Sequence, residues 1–172
     1  MKIEELNQLS AEEFKVAIEK CCHSKRFAEA MLKKRPYPGI TELISTAEEE
    51  WFKLEEADLF EAFEGHSRIG DLGSLKKKFA STRGWAEKEQ GAVRGADENT
   101  LKELAEWNLK YEEKFHFLFL ICATGKPAEV MLEAMKERLQ NSKNEEIKIA
   151  FREQNKITKL RLEKLLESPG EK

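Results

Sequence analysis

His66 is a candidate acid or base because it stands in an irregular part of the sequence. Arg68 and Asp71 follow it, and Gly70 and Gly73 interrupt helical periodicity, which predicts a loop. An imidazole exchanges protons near neutral pH, and a neighbouring carboxylate or guanidinium tunes that exchange. The alternative is a surface or helix-capping histidine without a chemical role.

Trp85 and Glu89 form a second candidate pair. They are four residues apart, so they share one face of a short helix predicted over residues 83–92. A carboxylate beside an indole is partly desolvated, which raises its pKa toward a value useful for proton transfer. The alternative is an ordinary amphipathic helix.

A third candidate is the apolar block from Phe115 to Ala123, which runs into Thr124-Gly125-Lys126. The Gly-Lys pair is similar to the end of a phosphate-binding loop, but the other glycines of that motif are missing, so nucleotide binding is not indicated. The alternative is the end of a long core helix. Within it, Cys122 is interpreted as a buried small hydrophobe rather than a nucleophile.

The sequence offers no pattern for a metal site or a serine hydrolase. The histidines at positions 23, 66 and 116 are far apart, and the cysteines at 21, 22 and 122 form no CxxC pair. No GxSxG motif occurs. We therefore expect no metal site from these patterns.

Length and charge restrict the class of protein further. The chain has 172 residues, which suits one domain, and its 30 basic and 33 acidic side chains give a net charge of -3. That balance argues against a protein that binds nucleic acid through phosphate charge, and no apolar run is long enough to span a membrane. The acidic N-terminus does not resemble an export signal, and three cysteines cannot all pair, so a cytoplasmic location is expected.

Residue counts predict an all-α fold, because 19 Leu, 16 Ala and 30 Glu accompany only 3 Val. Capping residues and apolar spacing predict a single-domain bundle of about eight helices over residues 1–166, followed by a polar tail, 167–172. The predicted helices run from about 11 to 22, 24 to 35, 40 to 54, 58 to 64, 83 to 92, 97 to 123, 127 to 141 and 144 to 166.

Four sequence motifs resemble those of one known family and occur in the same order. They are GHSRIGD at 65–71, similar to AHPRIGD; WAEKEQG at 85–91, similar to WSxxEQ; KFHFLFLICATGK at 114–126, similar to KFGFPFxICATGK; and KITKLRL at 156–162, similar to KITxLRL. With LNQLS at 6–10, the resemblance extends over nearly the whole chain. The chain resembles the OHCU decarboxylases of urate degradation, which act on 2-oxo-4-hydroxy-4-carboxy-5-ureidoimidazoline (OHCU).

The resemblance implies an all-α, cofactor-free, homodimeric carboxy-lyase that produces (S)-allantoin and carbon dioxide. It assigns proton transfer to His66, a catalytic role to Glu89 and substrate binding to Arg161. The partners that it implies are the small ureidoimidazoline and a second copy of the chain, while charge and hydropathy predict no nucleic acid or membrane partner. The other substrate-binding positions that it carries over are Ser67, Ala86, Glu87, Lys88 and Gln90, and the backbone of Phe119, Leu120, Ile121, Cys122 and Ala123.

Four of the departures from the family motifs bear on the proposed site. Ser67 and Leu118 replace prolines, Ala86 replaces a serine, and His116 replaces a glycine. The missing hydroxyl at Ala86 costs about 0.5–1.5 kcal/mol of substrate binding if a hydrogen bond is lost there. These departures leave two alternatives to OHCU decarboxylation: a lyase or hydrolase acting on a related ureido or imidazoline compound, and a non-catalytic helical protein that binds a small molecule.

Overall fold

The computed structural model describes residues 1–66 and 98–167, apart from the side chains of Glu98 and Leu101. These residues contain eight α-helices and no strand, which confirms the all-α prediction. None of these helices is long and apolar enough to cross a membrane. The helices are α1 (Ile3–Gln8), α2 (Ala11–Cys21), α3 (Lys25–Lys33), α4 (Ile40–Phe52), α5 (Glu56–Phe63), α6 (Glu98–Phe115), α7 (Ala128–Arg138) and α8 (Lys143–Leu166).

Serine side chains cap the starts of α2, α3 and α8. Ser10 accepts a hydrogen bond from the Glu13 N–H at 3.2 Å, and the Glu13 carboxylate accepts one from the Ser10 N–H at 3.0 Å. This capping box begins α2 where it was predicted. Ser24 caps α3 through the Phe27 N–H, and Ser142 with Glu145 forms a second capping box before α8.

The long helix predicted to reach residue 123 is wrong in its second half. Helix α6 ends at Phe115, and residues 118–123 are neither helix nor turn. The apolar block is buried as expected apart from exposed His116 and half-buried Leu118, but burial does not require helical backbone. Charged side chains from α7 and α8 bind its peptide groups instead, as described for the site.

The chain forms two compact units, and the first comprises Met1–Ala62 with the chain from Gln154 onward. In its core, Phe27 and Trp51 meet edge to face with ring centroids 6.0 Å apart. Helix α1 was missed by the sequence prediction and is held by two contacts. Asn7 exchanges two hydrogen bonds with the backbone of Tyr37, and the Arg35 guanidinium donates to the Asn7 and Leu9 carbonyls.

The second unit, Phe63–Glu153, contains an aromatic cluster around the end of α6. Tyr111 lies 4.6 Å from Phe115 and 5.1 Å from Phe119, measured between ring centroids. Phe117 stacks on Phe63 at 5.6 Å with the ring planes 16° apart. These rings fix the irregular segment after α6 against the last residue of α5.

His116 has a left-handed backbone, with a φ of 60°, at the position where the resembled family has glycine. Its side chain is exposed, and its N–H donates to the Glu112 carbonyl at 2.8 Å, which closes the last turn of α6. A side chain raises the energy of this conformation, and glycine relieves it. We therefore expect His116→Gly to raise the free energy of unfolding by about 0.5–1 kcal/mol, measured by urea denaturation.

The matched control for that prediction is His116→Ala, which keeps a Cβ at the left-handed position. It should be no more stable than the wild type, because removing the imidazole leaves the backbone strain in place. A His116→Gly protein less stable than His116→Ala would contradict the prediction.

Candidate active site

His66 follows the C-terminal end of α5 and is half-buried. Its backbone N–H donates to the Phe63 carbonyl at 3.0 Å, so it is tied to the last turn of that helix. Because Phe63 stacks on Phe117, the same turn is joined to the segment that precedes Phe119. His66 and the segment 119–123 therefore belong to one compact unit.

The segment from Phe119 to Ala123 is buried, and charged side chains hold several of its peptide groups. Arg138 Nη1 donates to the Leu120 carbonyl at 2.8 Å. The Cys122 N–H donates to Glu153 Oε1 at 3.3 Å, and Lys126 Nζ donates to the Cys122 carbonyl at 2.6 Å. The segment is thus fixed by side chains from outside it rather than by helical or sheet hydrogen bonds.

Arg138 is itself held by a buried ion pair with Glu146. Arg138 Nε lies 2.9 Å from Glu146 Oε1, and the Glu146 side chain is fully buried. The same carboxylate accepts hydrogen bonds from the Tyr111 hydroxyl at 2.5 Å and from Asn141 Nδ2 at 2.9 Å. The guanidinium carbon is 4.3 Å from the centroid of the Phe119 ring, so cation–π attraction also stabilises the buried charge.

Tyr111 completes this network as a neutral donor. Burial raises the pKa of the Tyr111 hydroxyl above its ordinary value, and the hydrogen bond to Glu146 raises it further. The hydroxyl therefore keeps its proton at neutral pH and donates to the carboxylate. Glu146 consequently receives hydrogen bonds from three side chains, which satisfies a carboxylate without solvent.

Arg161 lies in α8 and belongs to the first compact unit, where it is buried. Its neighbourhood includes Cys22 and Thr158, both with less than a twentieth of their surface exposed, at 0% and 2%. Burial raises the pKa of the Cys22 thiol to about 12, while a hydrogen bond with Thr158 and the Arg161 charge oppose that rise. The raised pKa favours the protonated thiol at neutral pH, which disfavours Cys22 as a nucleophile.

The predicted site residues lie in the second unit, in the first unit or outside the described residues. His66 and the five residues from Phe119 to Ala123 lie in the second unit, and Arg161 lies in the first. Cys122 is buried and unbridged, as its interpretation as a small hydrophobe requires. In the described ranges, no group of three His, Cys, Asp or Glu side chains could hold a metal ion. The predicted residues Ser67, Ala86, Glu87, Lys88, Glu89 and Gln90 lie outside the described residues, as does the helix predicted over 83–92.

Sequence reasoning missed the residues that hold the segment. Arg138, Glu146 and Glu153 were assigned no role, and Lys126 was considered only as part of an incomplete phosphate loop. A signal for the irregular backbone was present, however. Phe115, Phe117, Phe119 and Ile121 recur at every second position, which is the period of an extended chain rather than of a helix.

A comparison with known protein families tests the resemblance that the four sequence motifs indicate. The family model of OHCU decarboxylase covers residues 7–163 of this chain, which is most of its length. The chain belongs to the OHCU decarboxylase family. The resemblance inferred from the sequence motifs is therefore confirmed.

This chain covers different shares of the curated relatives that it matches. The uric acid degradation bifunctional protein TTL of Arabidopsis thaliana is 38% identical over 159 residues, covering 92% of this chain and 48% of that protein. The 2-oxo-4-hydroxy-4-carboxy-5-ureidoimidazoline decarboxylase of Amia calva is 27% identical, covering 99% and 97%. The chain thus spans about half of the bifunctional plant protein and nearly all of the fish decarboxylase.

Solved structures share the fold of this family member. A crystal structure of OHCU decarboxylase in the presence of (S)-allantoin is 38% identical, covers 87% of this chain and 96% of its own, and superimposes with a TM-score of 0.72. A crystal structure of (S)-allantoin synthase is 16% identical, covers 98% and 55%, and has a TM-score of 0.70. The second similarity concerns the fold alone.

Proposed function

We propose that this protein decarboxylates OHCU to (S)-allantoin and carbon dioxide without a cofactor. In this proposal His66 and Glu89 are the acid–base pair, and Arg161 binds the substrate. Family membership over residues 7–163 supports the reaction class. The structural observation that carries the proposal is the buried, non-helical segment 119–123, which offers peptide groups within the same compact unit as His66.

The chemistry requires a site that accepts negative charge. When the bond between the ring carbon and the carboxylate breaks, its electron pair stays on the ring carbon and spreads into the adjacent imine and carbonyl groups. Hydrogen-bond donors aimed at that developing charge lower the barrier, and in this proposal Arg161 and backbone N–H groups supply them. The carbon is then protonated on one face by the His66 and Glu89 pair, which gives a single enantiomer.

The backbone donors are available in the described part of the chain. Among residues 1–66 and 98–167, the N–H groups of Phe119, Leu120, Ile121 and Ala123 form no hydrogen bond with another residue. Buried N–H groups are costly to leave without an acceptor, so a ligand carbonyl at this segment would be bound favourably. This supports substrate binding through the segment.

The proposed function is tested by following the optical activity of allantoin. Urate is converted in the cuvette by urate oxidase and hydroxyisourate hydrolase, and this protein is added last. Spontaneous decay yields racemic allantoin, so a rapid circular dichroism signal of one enantiomer is expected only with the active protein. Folded protein that produces no signal above the spontaneous background would overturn the proposal.

Two further measurements, a substrate panel and calorimetry, separate the two alternative functions. A lyase or hydrolase for a related ureido compound would leave OHCU unchanged but turn over its own substrate in a panel of ureides and imidazolines. A non-catalytic binding protein would bind (S)-allantoin in calorimetry without accelerating any of these reactions. Both outcomes differ from the enantiomeric signal expected here.

We further propose that the protein is a cytoplasmic homodimer. The family resemblance supports the dimer, and three unbridged cysteines are compatible with a reducing compartment. Sedimentation of the full chain at micromolar concentration tests the dimer directly, and a monomer under those conditions would contradict it.

A further inference from the structure

The side chains that hold segment 119–123 bind three consecutive peptide units. Arg138 binds the carbonyl of the unit between Leu120 and Ile121. Glu153 accepts from the N–H of the next unit, and Lys126 binds the carbonyl of the one after it. A cation, an anion and a cation therefore alternate along the backbone, each matched to the polarity of the group it contacts.

Peptide geometry converts these contacts into an orientation. The peptide bonds of this segment are trans, so the C=O and N–H of each unit point in opposite directions. Holding the Leu120 carbonyl turns the Ile121 N–H away from Arg138. By the same rule the Ile121 carbonyl is turned away from Glu153, and the Ala123 N–H is turned away from Lys126.

We propose that Arg138, Glu153 and Lys126 are positioning residues that set a donor, an acceptor and a donor toward the substrate. These groups are the Ile121 N–H, the Ile121 carbonyl and the Ala123 N–H. A run of carbonyl, N–H and carbonyl, the pattern of a cyclic ureide, is complementary to them. The inference rests on the proposed function, since it assigns the groups to that same site.

Burial and charge support a positioning role over a role in stability alone. A lone lysine–carbonyl contact is easily replaced by water at the surface, but the contacts here converge on one buried segment of five residues. Arg138 is further restrained by Glu146, so its Nη1 cannot follow a displaced carbonyl freely. Fixed donors stabilise developing charge without reorganisation, which is why their orientation affects the rate.

Lys126→Met tests the proposal, with Lys114→Met as its matched control. Lys114 Nζ also donates to backbone carbonyls, those of Leu139 and Asn141, but these lie outside the segment. We expect Lys126→Met to lower kcat/KM about 10-fold, mostly through kcat, because a displacement of about 1 Å in a site can cost about 100-fold. Lys114→Met should retain the wild-type value.

Glu153 provides a rescue experiment, because the amide oxygen of Gln can still accept from the Cys122 N–H. Glu153→Gln should therefore retain more activity than Glu153→Ala, at matched thermal stability. Equal losses in the two Glu153 variants, or equal losses in Lys126→Met and Lys114→Met, would overturn the positioning role.

An amide measurement keeps this inference separate from the proposed function. In ¹H–¹⁵N spectra, Lys126→Met should shift the Ile121 and Ala123 amide resonances, and it should reduce their response to added (S)-allantoin. Lys114→Met should leave both unchanged. A wild-type protein that lacks OHCU turnover would overturn the proposed function. Unshifted Ile121 and Ala123 amide resonances in Lys126→Met would overturn the positioning role.

Discussion

His66→Ala is expected to lower kcat for the formation of optically active allantoin by about 10²–10⁴-fold, the range for loss of a positioned acid or base. The physical reason is that the carbanion left by decarboxylation still needs a proton on one face. The imidazole is half-buried beside the end of α5, so alanine removes the proposed proton donor and little packing. The measurement is the initial rate of the circular dichroism signal.

The matched control for this variant is His23→Ala. His23 is an exposed histidine in the first unit, so its replacement removes the same side chain from a surface position. It should leave the rate at the wild-type level. Glu89→Gln should reproduce the loss seen with His66→Ala, and a double variant should be little worse than either single one, since residues acting as a unit are not additive. A His66→Ala protein with wild-type turnover would exclude His66 as the acid or base.

The predicted helices that agree best with the structure depend on interactions within a few residues. The Ser10 and Glu13 capping box begins α2, and the predicted end at residue 22 lies one residue beyond Cys21. Such boundaries are readable because the capping atoms and the capped N–H groups are neighbours in sequence. Helix α1 escaped prediction because six residues are too few for a periodic pattern, and its anchors, Arg35 and Tyr37, lie about thirty residues away.

The backbone of the candidate site, unlike the capped helix starts, is fixed by residues that are distant in sequence. The family motifs indicated Phe119 to Ala123 as substrate-binding positions, but the prediction that this block is helical was wrong. What fixes its backbone is Arg138, 18 residues from Leu120, and Glu153, 31 residues from Cys122. No local propensity rule connects such pairs, so the orientation of the peptide groups could not be read from the sequence.

Glu146→Ala is expected to lower the free energy of unfolding by about 3–5 kcal/mol, because it leaves the buried Arg138 charge without its carboxylate. The Tyr111 hydroxyl and the Asn141 amide lose the same acceptor. For a domain of this size each kcal/mol lowers Tm by about 2–4 °C, so thermal denaturation measures the loss readily. The matched control is Glu133→Ala on α7, which breaks an exposed pair with Lys136. That pair should contribute no more than about 1 kcal/mol.

The double variant Arg138→Met/Glu146→Leu separates stability from positioning. Replacing a buried ion pair by apolar side chains of similar size is often close to neutral, so much of the loss in Glu146→Ala should be recovered. The Tyr111 hydroxyl remains without its acceptor, so about 1–3 kcal/mol of the free energy of unfolding is not recovered. Turnover should nevertheless stay low, because no side chain then binds the Leu120 carbonyl. A double variant that recovers both stability and wild-type turnover would mean that the ion pair serves the fold alone.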